Sequence, residues 1–186
     1  HRVVGQCAAI LNDAVFKRGP HVVRIGRAFE LSDNLQRSSM QPVVLGVTKP
    51  WLVRELTDRA TFKRWDKRLN DYKVVDCPAN IASTVETGTD DDTFRPLTAM
   101  ASTPFLRTDG RICVTPGYDD ETGIYYAPNL TFPPIPEQPT WQEARTALDE
   151  LLVLVKDFPF ANEASKSVFL ADVLTALARP TLSKSP

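Results

Sequence analysis

At 186 residues, with 42% apolar and 24% charged side chains, the chain has an ordinary globular composition and the length for one sizeable core or two small ones. No apolar run approaches the roughly 20 residues that span a bilayer, and the start HRVVGQCAAILND has no signal-peptide cleavage pattern. Net charge is −1, yet residues 1–80 carry 14 Lys/Arg against 8 Asp/Glu and residues 81–186 carry 8 against 15, which predicts a polyanion-facing first half and a solvated or protein-facing second half.

In chain order, Val3, Val4, Cys7, Ile10 and Leu11 recur at helical spacing over 3–13. AVFKRGPHVVRI then reads as a β-hairpin turning at Gly19-Pro20, and QPVVLGV (41–47) as a short strand. Thr48 is the expected cap of a helix with Pro50 in its first turn, burying Trp51, Leu52, Leu56 and Ala60. A second hairpin is predicted over 61–75, turning at Asn70-Asp71, and then a short helix capped by Asp76 with Pro78 in its first turn.

GTDDDTFRP (88–96) reads as an acidic loop and a boundary. Short strands are expected around 103–106, 111–114 and 123–126. Five prolines between Pro128 and Pro139 exclude a helix or central strand and predict a stiff linker. Thr140 with Glu143 forms a capping box for a helix turning Ala144, Leu148, Leu151, Leu152 and Val155 inward. A second helix, from about 162 to 178, carries Val168, Phe169, Leu170, Val173, Leu174 and Leu177 and stops at Arg179-Pro180.

The predicted fold class is α+β: small antiparallel sheets and hairpins with flanking helices, in the outline of a winged helix, then a C-terminal helical hairpin. The expected divisions are a basic α+β domain (1–87), a β-rich connector (94–127), the Pro-rich linker (128–139) and the helical hairpin (140–180).

The hairpin 61–75 holds the most suggestive chemistry. Lys63, Arg64, Lys67, Arg68 and Lys73 are interleaved with Phe62, Trp65 and Tyr72. Cations beside rings suit a nucleic-acid backbone with a base stacked nearby, and Lys63, Arg64, Trp65, Lys67, Arg68 and Lys73 are the candidate nucleic-acid-binding residues. The plain reading is an edge strand guarded by lysines, with the aromatics in the core. Lys17, Arg18, Arg24 and Arg27 make the first hairpin a weaker version of the same pattern.

Other chemistry is sparse. Asp90, Asp91 and Asp92 are consecutive, so their carboxylates diverge, and they lack an EF-hand pattern. Asp119, Asp120 and Glu121 run into Gly123, and Asp109 precedes Gly110, which is turn chemistry. Cys7, Cys77 and Cys113 are odd in number and widely spaced, and with His1 and His21 the only histidines no zinc pattern forms. They read as buried or inert thiols in a reducing cytoplasm. His21 has no evident catalytic partner, and neither GxxxxGK[ST] nor GxGxxG is present. No catalytic residue, cofactor or metal is expected.

The stretch TPFLRTDGRICVTPGYDDETGIYYAP (103–128) resembles a segment of large replication proteins of bacteriophages and integrated mobile elements, which join a primase-like or Toprim module to a helicase-type ATPase. Thr103-Pro104, Leu106-Arg107, Asp109-Gly110, Thr115 through Asp119 and Thr122-Gly123 carry the likeness, followed by Pro133, Pro134, Pro136 and DFPFANEASKSVFLADVLTALARP. VFKRGPHVVRI, TKPWLVRELTDRATFKRWDKRLNDYKVVDCP and RPLTAMASTPFLR fit the family's preceding module more loosely. Asp120 stands where the family has Pro.

The resemblance implies a non-catalytic module upstream of a helicase ATPase in a bacterial host's cytoplasm. The start without Met is read as an excised segment, with His1 left by a tag, and the P-loop is expected to follow Pro186. The implied partners are single-stranded or forked DNA, bound without sequence preference, the adjacent ATPase domain, and other copies of the parent protein. The rival reading is a structural module that links primase and ATPase domains or sets oligomer assembly. A third is an acidic metal site at Asp119–Glu121 acting on phosphodiesters.

Overall fold

In the computed structural model, residues 2–27, 42–87 and 94–179 are described, and Asp90, Asp91 and Asp92 lie outside them. The fold is α+β, as the alternation of periodicities predicts. Two compact units form: residues 1–102 with 115–129, and residues 103–114 with 130–186.

The first unit opens with α1 (Arg2–Leu11), followed by β1 (Val15–Arg18), β2 (His21–Arg27) and β3 (Pro42–Gly46) in an antiparallel sheet of that order. The β1–β2 turn is Gly19-Pro20, with Gly19 at φ 58°. That fits a hairpin turn with glycine at its first central position. Next come α2 (Lys49–Arg59), the ribbon β4 (Phe62–Asp66) with β5 (Asp71–Val75), and α3 (Ala79–Thr87). A helix thus precedes the ribbon; nothing further establishes a winged helix.

The core of this unit joins the inner faces of the three helices. Cys7, Ala8 and Leu11 of α1 meet Leu52 and Leu56 of α2 and Ala82 and Val85 of α3. Val3 and Ile10 stay exposed, while Ala8 is buried in their place, so the buried stripe of α1 is narrower than its apolar spacing suggests. Each fully buried leucine here contributes about 1.5–3 kcal/mol by leaving water.

Helix starts depart from expectation in two places. Thr48 occupies the N-cap of α2 with Pro at the first positions, but its side chain makes no capping bond. The third helix begins at Ala79 rather than beside Asp76; the Pro78 carbonyl accepts from the Ile81 and Ala82 N–H groups. Proline serves here through its acceptor, which it retains, rather than its missing donor.

A second sheet places β10 (Ile124–Tyr126) between β6 (Ala99–Ala101) and β9 (Gly117–Asp119). β9 pairs antiparallel with β10, whereas β6 runs parallel to it, so one sheet departs from the all-antiparallel expectation. Phe16, Val23 and Leu97 form a second buried cluster, against which Tyr118 and Tyr125 pack. The Phe16 ring stacks on Tyr118 with centroids 5.1 Å apart and meets Tyr125 edge-on at 5.8 Å.

In the second unit, β7 (Phe105–Leu106) and β8 (Ile112–Cys113) pair around the Asp109-Gly110 turn, where Gly110 has φ 84°. Residues 127–140 have no regular structure, consistent with their prolines. α4 (Trp141–Val153) carries the predicted capping box: Thr140 accepts from the Glu143 N–H, and Glu143 accepts from the Thr140 N–H at 2.7 Å. α5 (Glu163–Ala178) is capped by Asn162, which accepts from the Ser165 N–H. Phe160, in the turn between the helices, lies 5.6 Å from the Phe169 ring. Leu148, Leu151, Leu152 and Val155 are half-buried while Ala144 is exposed, and neither helix has a fully buried residue.

Candidate nucleic-acid interface

The β4–β5 ribbon is held at its base and free toward its tip. Phe62 packs against the helical core. Just beyond the other strand, the Cys77 N–H donates to Thr57 Oγ1 of α2 at 2.9 Å. The turn is Lys67–Asn70, one residue earlier than predicted, and Asn70 takes the left-handed φ of 47°. Asn tolerates that region because its side chain bonds locally, and Asp71 is released to open β5.

The pairing register sorts the residues onto two faces. Phe62 faces Val75, Lys63 faces Val74, Arg64 faces Lys73, Trp65 faces Tyr72 and Asp66 faces Asp71. Cross-strand partners share a face and successive pairs alternate. One face therefore carries Lys63, Trp65, Tyr72 and Val74; the other carries the core anchor Phe62–Val75, then Arg64–Lys73, then Asp66–Asp71.

All six predicted contact residues thus lie on one ribbon, but they do not converge on one face. Lys63 and Trp65 share a face, Arg64 and Lys73 occupy the opposite one, and Lys67 and Arg68 lie in the turn. Trp65 is 46% exposed and Tyr72 61%, so these two rings are not core residues. They meet edge-on, with centroids 5.1 Å apart and planes at 74°. Leu69 at the tip is 67% exposed.

Among the described residues, none of Lys63, Arg64, Lys67, Arg68 and Lys73 makes an ion pair. The acids nearby serve the backbone: Asp66 accepts from the Arg68 N–H at 2.9 Å, and Asp71 from the Tyr72 N–H at 2.7 Å. Arg64 directly opposite Lys73, and Asp66 opposite Asp71, are like-charge pairs. Each such pair costs roughly 0.2–1 kcal/mol relative to a neutral one. Lysines that guard an edge do not account for Arg64 set directly opposite Lys73, nor for two open rings on the other face.

A second basic–aromatic cluster escaped the sequence reading. The Arg95 guanidinium lies 4.5 Å from the Tyr118 ring centroid and 5.3 Å from that of Phe16. It also donates to the Asn12 carbonyl at 2.6 and 3.0 Å and approaches Asp120 at 3.7 Å. Tyr118 donates to the Pro96 carbonyl at 2.6 Å, and burial pushes its phenol pKa up. This cluster is satisfied internally and braces the sheet. No local signal exposes it, because its members lie up to about a hundred positions apart in the chain.

The acidic stretch 119–121 builds a turn. Asp119 is buried and accepts from the Thr122 N–H at 3.2 Å and its hydroxyl at 2.7 Å. Its carbonyl accepts from the Gly123 N–H at 2.9 Å. Among the described residues, no group of three or more His, Cys, Asp or Glu is placed to hold a metal. Cys7, Cys77 and Cys113 are free and buried, and burial raises the thiol pKa of the first two. Among the described residues, no helix is long and apolar enough to cross a membrane.

Comparison with protein-family models, with curated proteins and with solved structures finds no match to this chain.

Proposed function

We propose that this chain is a DNA-binding and coupling module of a phage-type replicative helicase or primase–helicase, acting in the bacterial cytoplasm and itself non-catalytic. The observation that carries the reading is the β4–β5 ribbon, which bears two exposed rings and five cations that make no ion pair among the described residues. Phosphate contacts of this kind position a strand without reading its sequence. The coupling part rests on the motif resemblance and on the exposed apolar residues of the C-terminal helices: Trp141 and Leu154 at the two ends of α4 are 85% and 80% exposed, and Val168 and Leu177 of α5 60% and 62%. Apolar exposure on that scale suits docking on an ATPase domain or a neighbouring subunit.

A salt titration of binding to single-stranded and forked DNA tests this. Each phosphate neutralised on a single strand adds about 0.7 to the salt slope, so five contacts give a slope near −3.5. Affinity then falls roughly 100-fold between 50 and 200 mM salt. Charge reversal at Lys63, Arg64, Lys67 and Arg68 abolishes most of that dependence. Salt-independent binding, or binding unchanged by the reversal, refutes the reading.

The exposed helices also favour a second reading, a structural module that sets oligomer assembly without touching nucleic acid. Light scattering with and without the ATPase domain distinguishes the two. Assembly that survives charge reversal of the ribbon, with no DNA binding in either form, selects the second.

A further inference from the structure

We propose that the β4–β5 ribbon takes unpaired nucleotides in preference to duplex, seating bases on its Trp65–Tyr72 face and phosphates along its cationic rim. The inference rests on the DNA-binding reading above and specifies the strand state and the division of labour within that site.

Trp65–Tyr72 and Lys63–Val74 occupy one face, and its three apolar members are 46%, 61% and 62% exposed. The two rings meet at 74°, so they do not stack on each other and ring faces remain open. A base pair inside a duplex shows a groove ligand only its edges, which carry hydrogen-bonding atoms. A face built from rings and a valine has little to offer those edges. Unpaired bases expose their π-faces, and stacking on aromatic side chains tolerates any sequence.

Dimensions agree with a short stacked segment. Successive positions on one face of a strand lie roughly 7 Å apart, and stacked nucleotides rise about 3.4 Å each. The Trp65–Tyr72 and Lys63–Val74 pairs together therefore cover about two bases. Lys63 lies on the face itself and Lys67 and Arg68 at its tip end, where a backbone running beside those bases passes. On the reverse face the opposed Asp66–Asp71 pair lies toward the tip and the Arg64–Lys73 pair toward the base, so a backbone passing the ribbon's edge meets those two cations at the base end. Residues 62–75 carry five Lys/Arg against two Asp, which selects a polyanion over an apolar protein surface as the occupant.

The test uses the full chain and three fluorescently labelled DNAs of one length: a natural single strand, an abasic single strand and a duplex. Loss of base stacking is expected to weaken binding roughly 5- to 150-fold per base. The natural strand should therefore bind more tightly than the abasic strand, and more tightly than duplex. The double variant Trp65→Ala, Tyr72→Ala should abolish the natural–abasic difference and leave abasic binding unchanged, while Trp65→Phe alone retains it. Arg64→Gln should weaken natural and abasic strands alike. Salt-dependent binding of all three DNAs with equal affinity overturns the stacking inference and leaves the DNA-binding reading standing. Poly-glutamate competing as well as the natural strand also overturns it. Absence of binding to every DNA overturns both.

Discussion

Replacing Gly123 with alanine separates backbone strain from close packing in the turn that the acidic motif builds. Gly123 has φ 69°, in the left-handed region. A Cβ built there lies 2.7 Å from Thr98 Oγ1 and 3.1 Å from the Pro96 carbonyl oxygen. The left-handed conformation costs alanine about 1–2 kcal/mol, and overpacking typically adds about 1–3 kcal/mol. The hydroxyl can rotate away, so the lower part of that range applies to the packing cost. The carbonyl is backbone, and it also accepts the Tyr118 hydroxyl, so it yields only by disturbing that bond and the pairing of this segment with Lys17 of β1.

The total expected for Gly123→Ala is about 2–4 kcal/mol. Gly19 supplies the control: its φ is 58°, with nothing within 4 Å of a built Cβ. Gly19→Ala should cost about 1–2 kcal/mol. Urea denaturation followed by far-ultraviolet circular dichroism measures both. Adding Thr98→Ala to Gly123→Ala should recover part of the difference, because one of the two close contacts disappears. Equal destabilisation by the two glycine variants would refute the close-approach argument.

Lys73→Glu places an acid opposite Arg64 and should stabilise the free protein by roughly 0.2–1 kcal/mol while weakening DNA binding; urea midpoints and fluorescence anisotropy read the two effects, and a destabilised variant would count against the register argument. Arg95→Met removes two bonds to the Asn12 carbonyl and the charge over Phe16 and Tyr118, so a loss of about 1–3 kcal/mol is expected, with DNA affinity unchanged under native conditions. The backbone and side-chain bonds from Thr140 hold the Glu143 pKa below its ordinary value of 4.5. Its contribution to the α4 cap is therefore complete above that value and lost as pH falls through the lowered folded value. Acid titration of helicity should lose this step in Glu143→Gln.

Local chemistry was legible in the sequence wherever one turn of chain decides the outcome. The Thr140–Glu143 capping box, the Gly19-Pro20 turn and the prolines of 128–139 depend on neighbours within a few residues, and they appear as read. The ribbon 62–75 was also readable, because alternation and a short turn fix a two-stranded pairing. Its turn moved by one residue since Asn70, rather than Asp71, takes the left-handed position.

The tertiary structure alone decided which rings are open and which acids are spent. Trp65 and Tyr72 are residue types that usually seek a core, and the register that sets Phe62 on the core puts them on the opposite, exposed face. The parallel β6–β10 pairing joins three-residue strands more than twenty positions apart, too short for periodicity to announce. Phe16, Arg95 and Tyr118 meet through that same sheet. Asp119 reads as a turn former in sequence, but its burial and its bonds to Thr122 follow from β9 lying against β10. Sequence fixes conformations whose energy is settled among neighbours; exposure and long-range partners are settled by which surfaces the whole chain removes from water.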